Sequence, residues 1–324
     1  MKPIRTLLAI LAVLPLVPSA TAQTYPARAI SIVVPFSAGG PTDTIARIVA
    51  DKLTRILGQA VVVENTAGAG GSIGVGRVVR AAPDGYTLGI GHIGTHVING
   101  VIYQLQYDLT KDLEPVAMIA TNPQIIVTKN GVPAKDLKEL VAWVKANPDK
   151  VSSGTGGAGT PSHVSGVYFQ NRIGSQFQIV HYKGSGPAMQ DVLAGHIDMT
   201  FDQAANALPQ VRAGKVRAYA VTAKSRIPTA PDIPTVDEAG LPGFYMAVWH
   251  GIWSPKGTPQ SVIDKLNAAI VEALADPALR TRLSELGQEI PPRDQQTPEA
   301  LSAFHKSEID KWWPLIKAAG IKAD

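Results

Sequence analysis

Cysteine is absent from the 324-residue sequence, and this excludes disulfide bonds, thiolate zinc sites and a cysteine nucleophile. Charged residues make up only 17%, against roughly 25% in an average globular protein, which excludes a disordered or heavily charged chain. No run of Lys or Arg indicates nucleic acid or an anionic membrane as a partner. Neither a Walker phosphate loop nor a G-x-S-x-G nucleophile elbow occurs. These absences are consistent with a globular protein, and none of the catalytic motifs named above is present to indicate an enzyme.

The first 22 residues have the pattern of a secretory signal peptide. Lys2 and Arg5 form a basic start, the apolar run 7–17 is too short to span a bilayer, and Ala20-Thr21-Ala22 matches a small-x-small cleavage site. An uncleaved membrane anchor is the alternative, but Pro15 interrupts the apolar run and Pro18 ends it. Cleavage before Gln23 would leave 28 basic and 26 acidic residues, a formal charge of +2. The sequence therefore predicts an exported, soluble and nearly neutral protein.

Short β-rich runs alternate with helical stretches along the rest of the chain. Strands are predicted at residues 30–34, 60–63, 86–90, 116–119, 125–127, 151–153, 178–181, 197–201 and 216–221. Helices are predicted over about 42–57, from 136, and twice near the C-terminus, because apolar residues recur there at helical spacing. This alternation is typical of βαβ units, so we expect an α/β protein with mostly parallel sheet flanked by helices.

Two segments have the character of crossings between lobes. The Pro-rich segment 227–242 is extended and turn-like, and a second crossing is expected at Asn122-Pro123. Two crossings predict a discontinuous first lobe, residues 23–122 and 223–324, and an inserted second lobe, residues 123–222. A cleft would lie between the lobes.

Gly-rich turns after the predicted strands are the most informative feature. They are PFSAGGPTD (35–43), GAGGS (68–72), GTGGAGTPSH (154–163) and KGSGP (183–187). Three of them place a small residue before proline, the pattern of a helix N-cap and first residue: Gly40-Pro41, Thr160-Pro161 and Gly186-Pro187. Open α/β folds bind ligands at such strand ends, where helix starts offer free N–H groups and a positive dipole. Because only Lys183 is cationic, the turns predict a carboxylate held mainly by neutral donors.

Two other kinds of site are less well supported by these residues. The segment 154–159 matches the G-x-G-x-x-G dinucleotide fingerprint, but no Asp or Glu follows between Thr155 and Gln190 to hold a ribose. His92 and His96 are four residues apart, yet their segment is broken by glycine and lacks the Glu of a zinc hydrolase motif. No cofactor and no metal are expected.

Two carboxylates could be paired for acid–base chemistry, namely Asp198 and Asp202. Asp202 is more simply interpreted as the end of a strand and the cap of a helix that begins near Gln203. Catalysis is therefore not expected from this pair.

The order and spacing of these motifs resemble the periplasmic solute-binding proteins of tripartite tricarboxylate transporters, the Bug/TctC family. The similarity covers essentially the whole chain after the leader. It is carried by VVPFSAGGPTD (33–43), VVENTAGAGGSIG (62–74), PDGYTLGIGHIGTH (83–96), GTGGAGTPSH (154–163), YKGSGPAMQDVLAGHIDMTFD (182–202), AGKVRAYAVTAKSR (213–226), IPTVDEAGLPGF (233–244) and GIWSPKGTP (251–259). Each segment alone is weakly specific, whereas the series is highly specific.

The resemblance implies a two-lobe Venus-flytrap fold that closes on a small carboxylate. In the first lobe it assigns the ligand to the loop of Phe36, Ser37, Ala38, Gly39 and Gly40, and to Ser72, His92 and Thr95 on matching loops. In the second lobe it assigns Thr155, Gly156, Gly159, Thr160 and His163, together with Phe201 and Asp202. The chain departs from the family pattern at Thr66-Ala67, where the family often has Arg-Pro, and at Ser37, where it has Pro or Ala.

The function that the resemblance implies is delivery of the acid to the membrane permease subunits of a tripartite tricarboxylate transporter, by a monomer. The ligand class stays open among dicarboxylates, tricarboxylates, amino acids and aromatic acids. A binding subunit that reports its ligand to a signalling partner is the alternative, because both roles would use the same closed surface. An enzyme is not expected, since nucleophile, metal set and cofactor motif are all missing from the sequence.

Overall fold

Strands and helices alternate through the computed structural model, which describes residues 25–322. The predicted signal peptide and its cleavage site before Gln23 lie outside the described residues. Within residues 25–322, no helix combines the length and the apolar character needed to cross a bilayer.

The strands are β1 Ile30–Val34, β2 Val61–Asn65, β3 Thr87–His92, β4 Leu113–Lys129, β5 Ser152–Thr155, β6 Gln178–His181, β7 Met199–Gln203, β8 Val216–Val221 and β9 Ala247–Pro255. The α-helices are α1 Pro41–Leu57, α2 Ser72–Val79, α3 Asn99–Ile102, α4 Leu137–Ala146, α5 Pro161–Ile173, α6 Ser185–Ala194, α7 Ala204–Arg212, α8 Gln260–Ala275, α9 Pro277–Glu285 and α10 Pro298–Ala318. A π-helical turn, Gly94–Ile98, precedes α3.

Helix α1 shows how the sequence produces these elements. Pro41 occupies the first helical position, where no intrahelical N–H partner is needed. Its apolar residues recur at helical spacing and face the sheet, so Ile45, Val49 and Leu53 are buried. Gly58 ends the helix with φ 67°, a left-handed conformation that favours glycine. The predicted helix over about 42–57 is confirmed.

The strands form one continuous sheet in the order β2-β1-β3-β9-β4-β7-β5-β6, with β8 also paired to β4. Strands β1, β2 and β3 pair in parallel, as do β5, β6 and β7. Strands β4, β8 and β9 pair antiparallel to their neighbours. The α/β class is confirmed, but the prediction of mostly parallel sheet is wrong. The sheet is mixed because β4 and β9 run back through its middle.

Strand β4 runs through the whole molecule and divides the sheet into two parts. Its residues 113–123 pair with β9, which continues through β3 to β1 and β2; we call this part the β1 half. Its residues 124–129 pair with β7 and β8, and β7 continues to β5 and β6; we call this part the β5 half. The sequence predicted two separate strands here, whereas the structure has one strand that changes partners beside Asn122-Pro123.

The chain returns from the β5 half to the β1 half along β9. Before it does so, Val236, Leu241 and Phe244 pack with Phe169 and Phe201 in the core of the β5 half. Main-chain bonds join Gln124 N–H to Met246 O, at 3.4 Å, and Met246 N–H to Thr222 O, at 3.1 Å. The predicted lobe boundary at 222/223 stays a prediction. From this packing we propose that the second crossing between the lobes lies near Met246.

Candidate ligand-binding site

A pocket lies between the β1 half and the β5 half. From the β1 half it is lined by Phe36, Gly40, Pro41, Thr42, Asp43 and His92. From the β5 half it is lined by Gln124, Gly156, Thr160, Pro161, Ser162, Ser185 and Gln203. In the part of the chain that the structure describes, no Lys or Arg lines this pocket.

Four helices begin at this pocket. Gly40 precedes α1, Thr160 precedes α5, Ser185 is the first residue of α6, and Gln203 precedes α7. The N–H groups of a first helical turn have no intrahelical partner, and the helix dipole places partial positive charge there. Four such ends around one space make a pocket that can hold an anion without a cationic side chain.

Helix α6 begins two residues earlier than its sequence predicts. Its N-cap is Gly184, with φ 144°, and Ser185 is the first helical residue. The sequence placed the cap at Gly186 with Pro187 at the first position, and this prediction is wrong. Proline is tolerated anywhere in a first turn, since the N–H that it lacks would have no intrahelical partner there. The earlier start is what brings Ser185 to the pocket.

The loop before α5 is held by its own hydroxyl groups. The Thr160 Oγ1 donates to Gly157 O at 2.6 Å and lies 3.0 Å from Ser162 Oγ. The Ser162 Oγ accepts from the Gly156 N–H at 2.9 Å. These bonds fix the backbone against which a ligand from the cleft would rest.

His92 is a fully buried, neutral imidazole in the pocket wall. Burial lowers the pKa of His92 to about 4, so the ring is uncharged at neutral pH. Its Nδ1 accepts from the Gly94 N–H at 2.9 Å, which places the ring proton on Nε2. The ring stacks on Phe36 with 5.0 Å between centroids. His92 therefore offers an N–H donor rather than a positive charge.

Asp43 is a buried carboxylate that shapes the first-strand loop. Burial alone would raise the pKa of Asp43, but hydrogen bonds from the Arg47 guanidinium, the Gly39 N–H and the Asn65 amide together hold it below its ordinary value. The Arg47 Nε and the Gly39 N–H each lie 2.9 Å from Asp43 Oδ2. Asp43 thus remains charged and ties the loop to α1.

Asp202 lies behind the pocket and does not line it. Burial raises the pKa of Asp202 to about 7, against the opposing hydrogen bonds from Asn206, the Gln203 N–H and Ser185. The structure corrects the predicted cap, because β7 continues through Gln203 and the N-cap of α7 is Gln203 itself. The carboxylate of Asp198 bonds instead to Ser152 and Lys129, so the two carboxylates have separate partners.

Five of the fifteen residues implied by the resemblance line the pocket, and ten do not. The five are Phe36, Gly40, His92, Gly156 and Thr160. The loop residues Ala38 and Gly39 are exposed, and the Ser72 Oγ donates to Ala69 O. Phe201 is a core residue of the β5 half. That these residues contact a ligand stays a prediction.

Four of the ten support the walls from behind. The Thr95 Oγ1 accepts from the His92 N–H at 3.0 Å and lies 2.9 Å from His96 Nδ1. The Thr155 Oγ1 lies 2.7 Å from His181 Nδ1. The Gly159 N–H donates to His163 Nδ1 at 3.0 Å.

Several lining residues were missed from the sequence. Thr42, Ser162 and Ser185 lie inside the quoted Gly-rich motifs, so their position in those turns was the sequence signal for them. Gln124 and Gln203 lie on the antiparallel pair β4 and β7, which face each other in register. No sequence signal joins these two glutamines.

Two hydrogen bonds join the two halves close to residues that line the pocket. The Ser37 N–H donates to Lys183 O at 2.9 Å, and the Tyr103 hydroxyl donates to Ala158 O at 3.0 Å. Lys183 thus contributes its main-chain carbonyl, and its side chain is exposed. One main-chain bond and one side-chain bond therefore hold the two halves together beside the pocket.

Metal binding finds no support among the described residues, which contain no group of three or more His, Asp or Glu side chains arranged to hold an ion. The ring of His96 stacks on Trp253 with 3.8 Å between centroids, and its Nδ1 faces Thr95. Both histidines of the GHIGTH segment are thus engaged within the protein.

Comparison with known proteins gives the family. Residues 45–321 match the tripartite tricarboxylate transporter family receptor, TctC. The chain is similar to the periplasmic binding protein BugD, with 42% identity, a TM-score of 0.89, and 92% of this chain and 99% of that chain covered. It is similar to MatC from Rhodopseudomonas palustris, solved with bound malate, at 39% identity and a TM-score of 0.87 over 90% of this chain and 100% of that one. It is also similar to Rpa4515 from R. palustris, solved with adipate, at 32% identity and a TM-score of 0.87 over 92% and 99%. The chain belongs to the tripartite tricarboxylate transporter family of receptors, the Bug/TctC solute-binding proteins.

Proposed function

We propose that this protein is an extracytoplasmic receptor that closes on a small dicarboxylate and delivers it, chemically unchanged, to a tripartite tricarboxylate-type permease. The observation that carries the proposal is the meeting of four helix starts at one pocket between the two halves of the sheet. The pocket offers N–H and hydroxyl donors, and a carboxylate is a common metabolite group that such donors bind.

The strength of these donors is sufficient for useful affinity. A hydrogen bond to a charged acceptor contributes about 1.5–3 kcal/mol. Four such bonds therefore reach about 8 kcal/mol, which corresponds to micromolar binding. The bound malate and adipate of the two similar structures support a small dicarboxylate as the ligand class.

Export and delivery belong to the same proposal. The leader would be removed before Gln23, and the monomeric receptor would meet its permease in the periplasm. The description of the matched family supports a transporter partner.

Binding is tested by calorimetric titration and thermal melting of residues 23–324 with malate, adipate and a panel of amino and aromatic acids. We expect one or more dicarboxylates to raise the melting temperature by mass action, and the acid recovered afterwards to be unchanged. A panel without any shift, or an acid recovered as a different compound, would contradict the proposal.

Delivery is tested by uptake of the labelled acid that binds, in cells with and without the gene. Uptake that depends on the receptor and on a permease supports transport. Normal uptake in cells without the receptor, with loss of a transcriptional response to the acid, would assign the signalling role instead.

A further inference from the structure

Gln203 lines the pocket, and a buried amide holds its side chain from behind. The Asn122 Nδ2 lies 3.3 Å from Gln203 Oε1, 3.2 Å from Val248 O and 3.1 Å from Gln288 Oε1. Asn122 is 1% exposed and does not line the pocket itself. It stands at the point where β4 passes from one half of the sheet to the other.

The orientation of these amides follows from one main-chain group. A carbonyl oxygen can only accept hydrogen bonds, so the Asn122 atom facing Val248 O must be the NH₂ nitrogen. The Gln203 atom facing the same NH₂ must then be its oxygen. The oxygen of Gln203 thereby faces the protein, where it shares the two hydrogens of the Asn122 NH₂ with Val248 O and Gln288 Oε1.

We infer that Asn122 is a positioning residue that makes Gln203 present its NH₂ group to the pocket, and that the pocket thereby selects a carboxylate over the corresponding carboxamide. Among the described residues, the Gln203 Nε2 has no hydrogen-bond partner. This inference rests on the proposed function, which places the acid in this pocket.

The second glutamine of the pocket is arranged in the same sense. The Ser165 hydroxyl donates to Gln124 Oε1, and the Gln124 Nε2 donates to Phe201 O at 3.3 Å. Both glutamines thus have their acceptor oxygens engaged by protein donors. A carboxamide NH₂ placed here would face donors and lose the acceptors that it has in water, whereas a carboxylate oxygen would meet donors.

The experiment compares two diacids with their monoamides by calorimetric titration: malate with its monoamide, and adipate with its monoamide. We expect the wild-type protein to favour the diacid at least tenfold. Gln203→Glu keeps an oxygen for Asn122 and replaces the presented NH₂ by a second oxygen, so the ratio of diacid to monoamide affinity should fall at least tenfold.

Asn122→Ala frees the Gln203 amide to rotate, and the ratio should fall at least fivefold. The matched control is Gln288→Ala, which removes a different partner of the same NH₂ group and should leave the ratio within twofold of wild type. In the double variant N122A/Q203E the ratio should equal that of Gln203→Glu alone, because a carboxylate has two equivalent oxygens. A merely structural role for Asn122 at the crossing would change both affinities together and leave the ratio unmoved.

Melting curves report whether each variant folds. If Asn122→Ala does not fold, the result with Gln203→Glu decides the question. An unchanged ratio of diacid to monoamide affinity in Gln203→Glu, with the diacids still bound, would overturn this inference but not the proposed function. A wild-type protein that binds no carboxylate of the wider panel would overturn the proposed function and, with it, this inference.

Discussion

Closure of the pocket should depend on the absence of a side chain at Gly186. A Cβ built on Gly186 would lie 3.1 Å from the carbonyl carbon of Gly39 and 3.1 Å from the nitrogen of Gly40. These atoms belong to the first-strand loop of the β1 half, whereas Gly186 is in the first turn of α6 in the β5 half. Since carbon atoms normally approach to about 3.5–4.0 Å, Gly186→Ala should hold the halves apart by a few tenths of an ångström.

The cost falls on the closed form. Overpacking by one methyl group typically costs about 1–3 kcal/mol. If the ligand is bound only when the halves meet, affinity should fall by about 5- to 150-fold, the factor that corresponds to that energy. The open form should be unharmed, because alanine is a better helix former than glycine.

The assay is calorimetric titration of the dicarboxylate that binds, with thermal melting of the unliganded protein. Gly131→Ala is the matched control, since a Cβ there meets no atom within 4 Å. We expect weaker binding in Gly186→Ala, full affinity in Gly131→Ala, and unliganded melting temperatures that are not lowered. Wild-type affinity in Gly186→Ala would refute the idea that these backbones meet when ligand is bound.

Three further predictions concern charge and hydroxyl groups. Burial raises the pKa of Asp202 to about 7 in the folded state. The folded protein therefore loses stability as the pH rises from about 4 to about 7, because the carboxyl group must ionise while it is buried. The melting temperature of Asp202→Asn relative to wild type should increase over that range. Thr160→Val removes the hydroxyl that donates to the buried Gly157 carbonyl, which keeps only the bond from the Thr160 N–H at 3.2 Å, and should weaken binding by about 1–3 kcal/mol in a titration. Because no described Lys or Arg lines the pocket, affinity should change less than about threefold between low and high sodium chloride; a tenfold fall would implicate a cation such as Lys183.

Much of the fold could be predicted because the parallel strands are short apolar runs. The predicted bounds of β1, β6 and β8 are confirmed residue for residue. Strand β9 was missed, since its Gly, His and Trp residues show neither alternation nor a β-branched run. The mixed sheet follows from that strand and from β4, so it could not be predicted either.

The site was predictable only where single turns carry it. The helix starts at Gly40 and Thr160 were visible as a small residue before proline, and both line the pocket. The pairing of Asn122 with Gln203 joins residues 81 positions apart through two strands whose register no local pattern reveals. The prediction of Asp202 as a helix cap is wrong because β7 extends to Gln203, two residues beyond the predicted strand, and Gln203 is the N-cap of α7.

The most direct test of carboxylate binding by neutral donors is a crystal structure with the dicarboxylate that titrates most tightly. We expect a carboxylate between the two halves, within hydrogen-bond distance of donors such as Ser162 and His92 Nε2, with the Gln203 amide nitrogen facing the ligand. Neither Lys nor Arg should contact it. A ligand bound outside this pocket, or a carboxylate paired with a cationic side chain, would contradict the central claim.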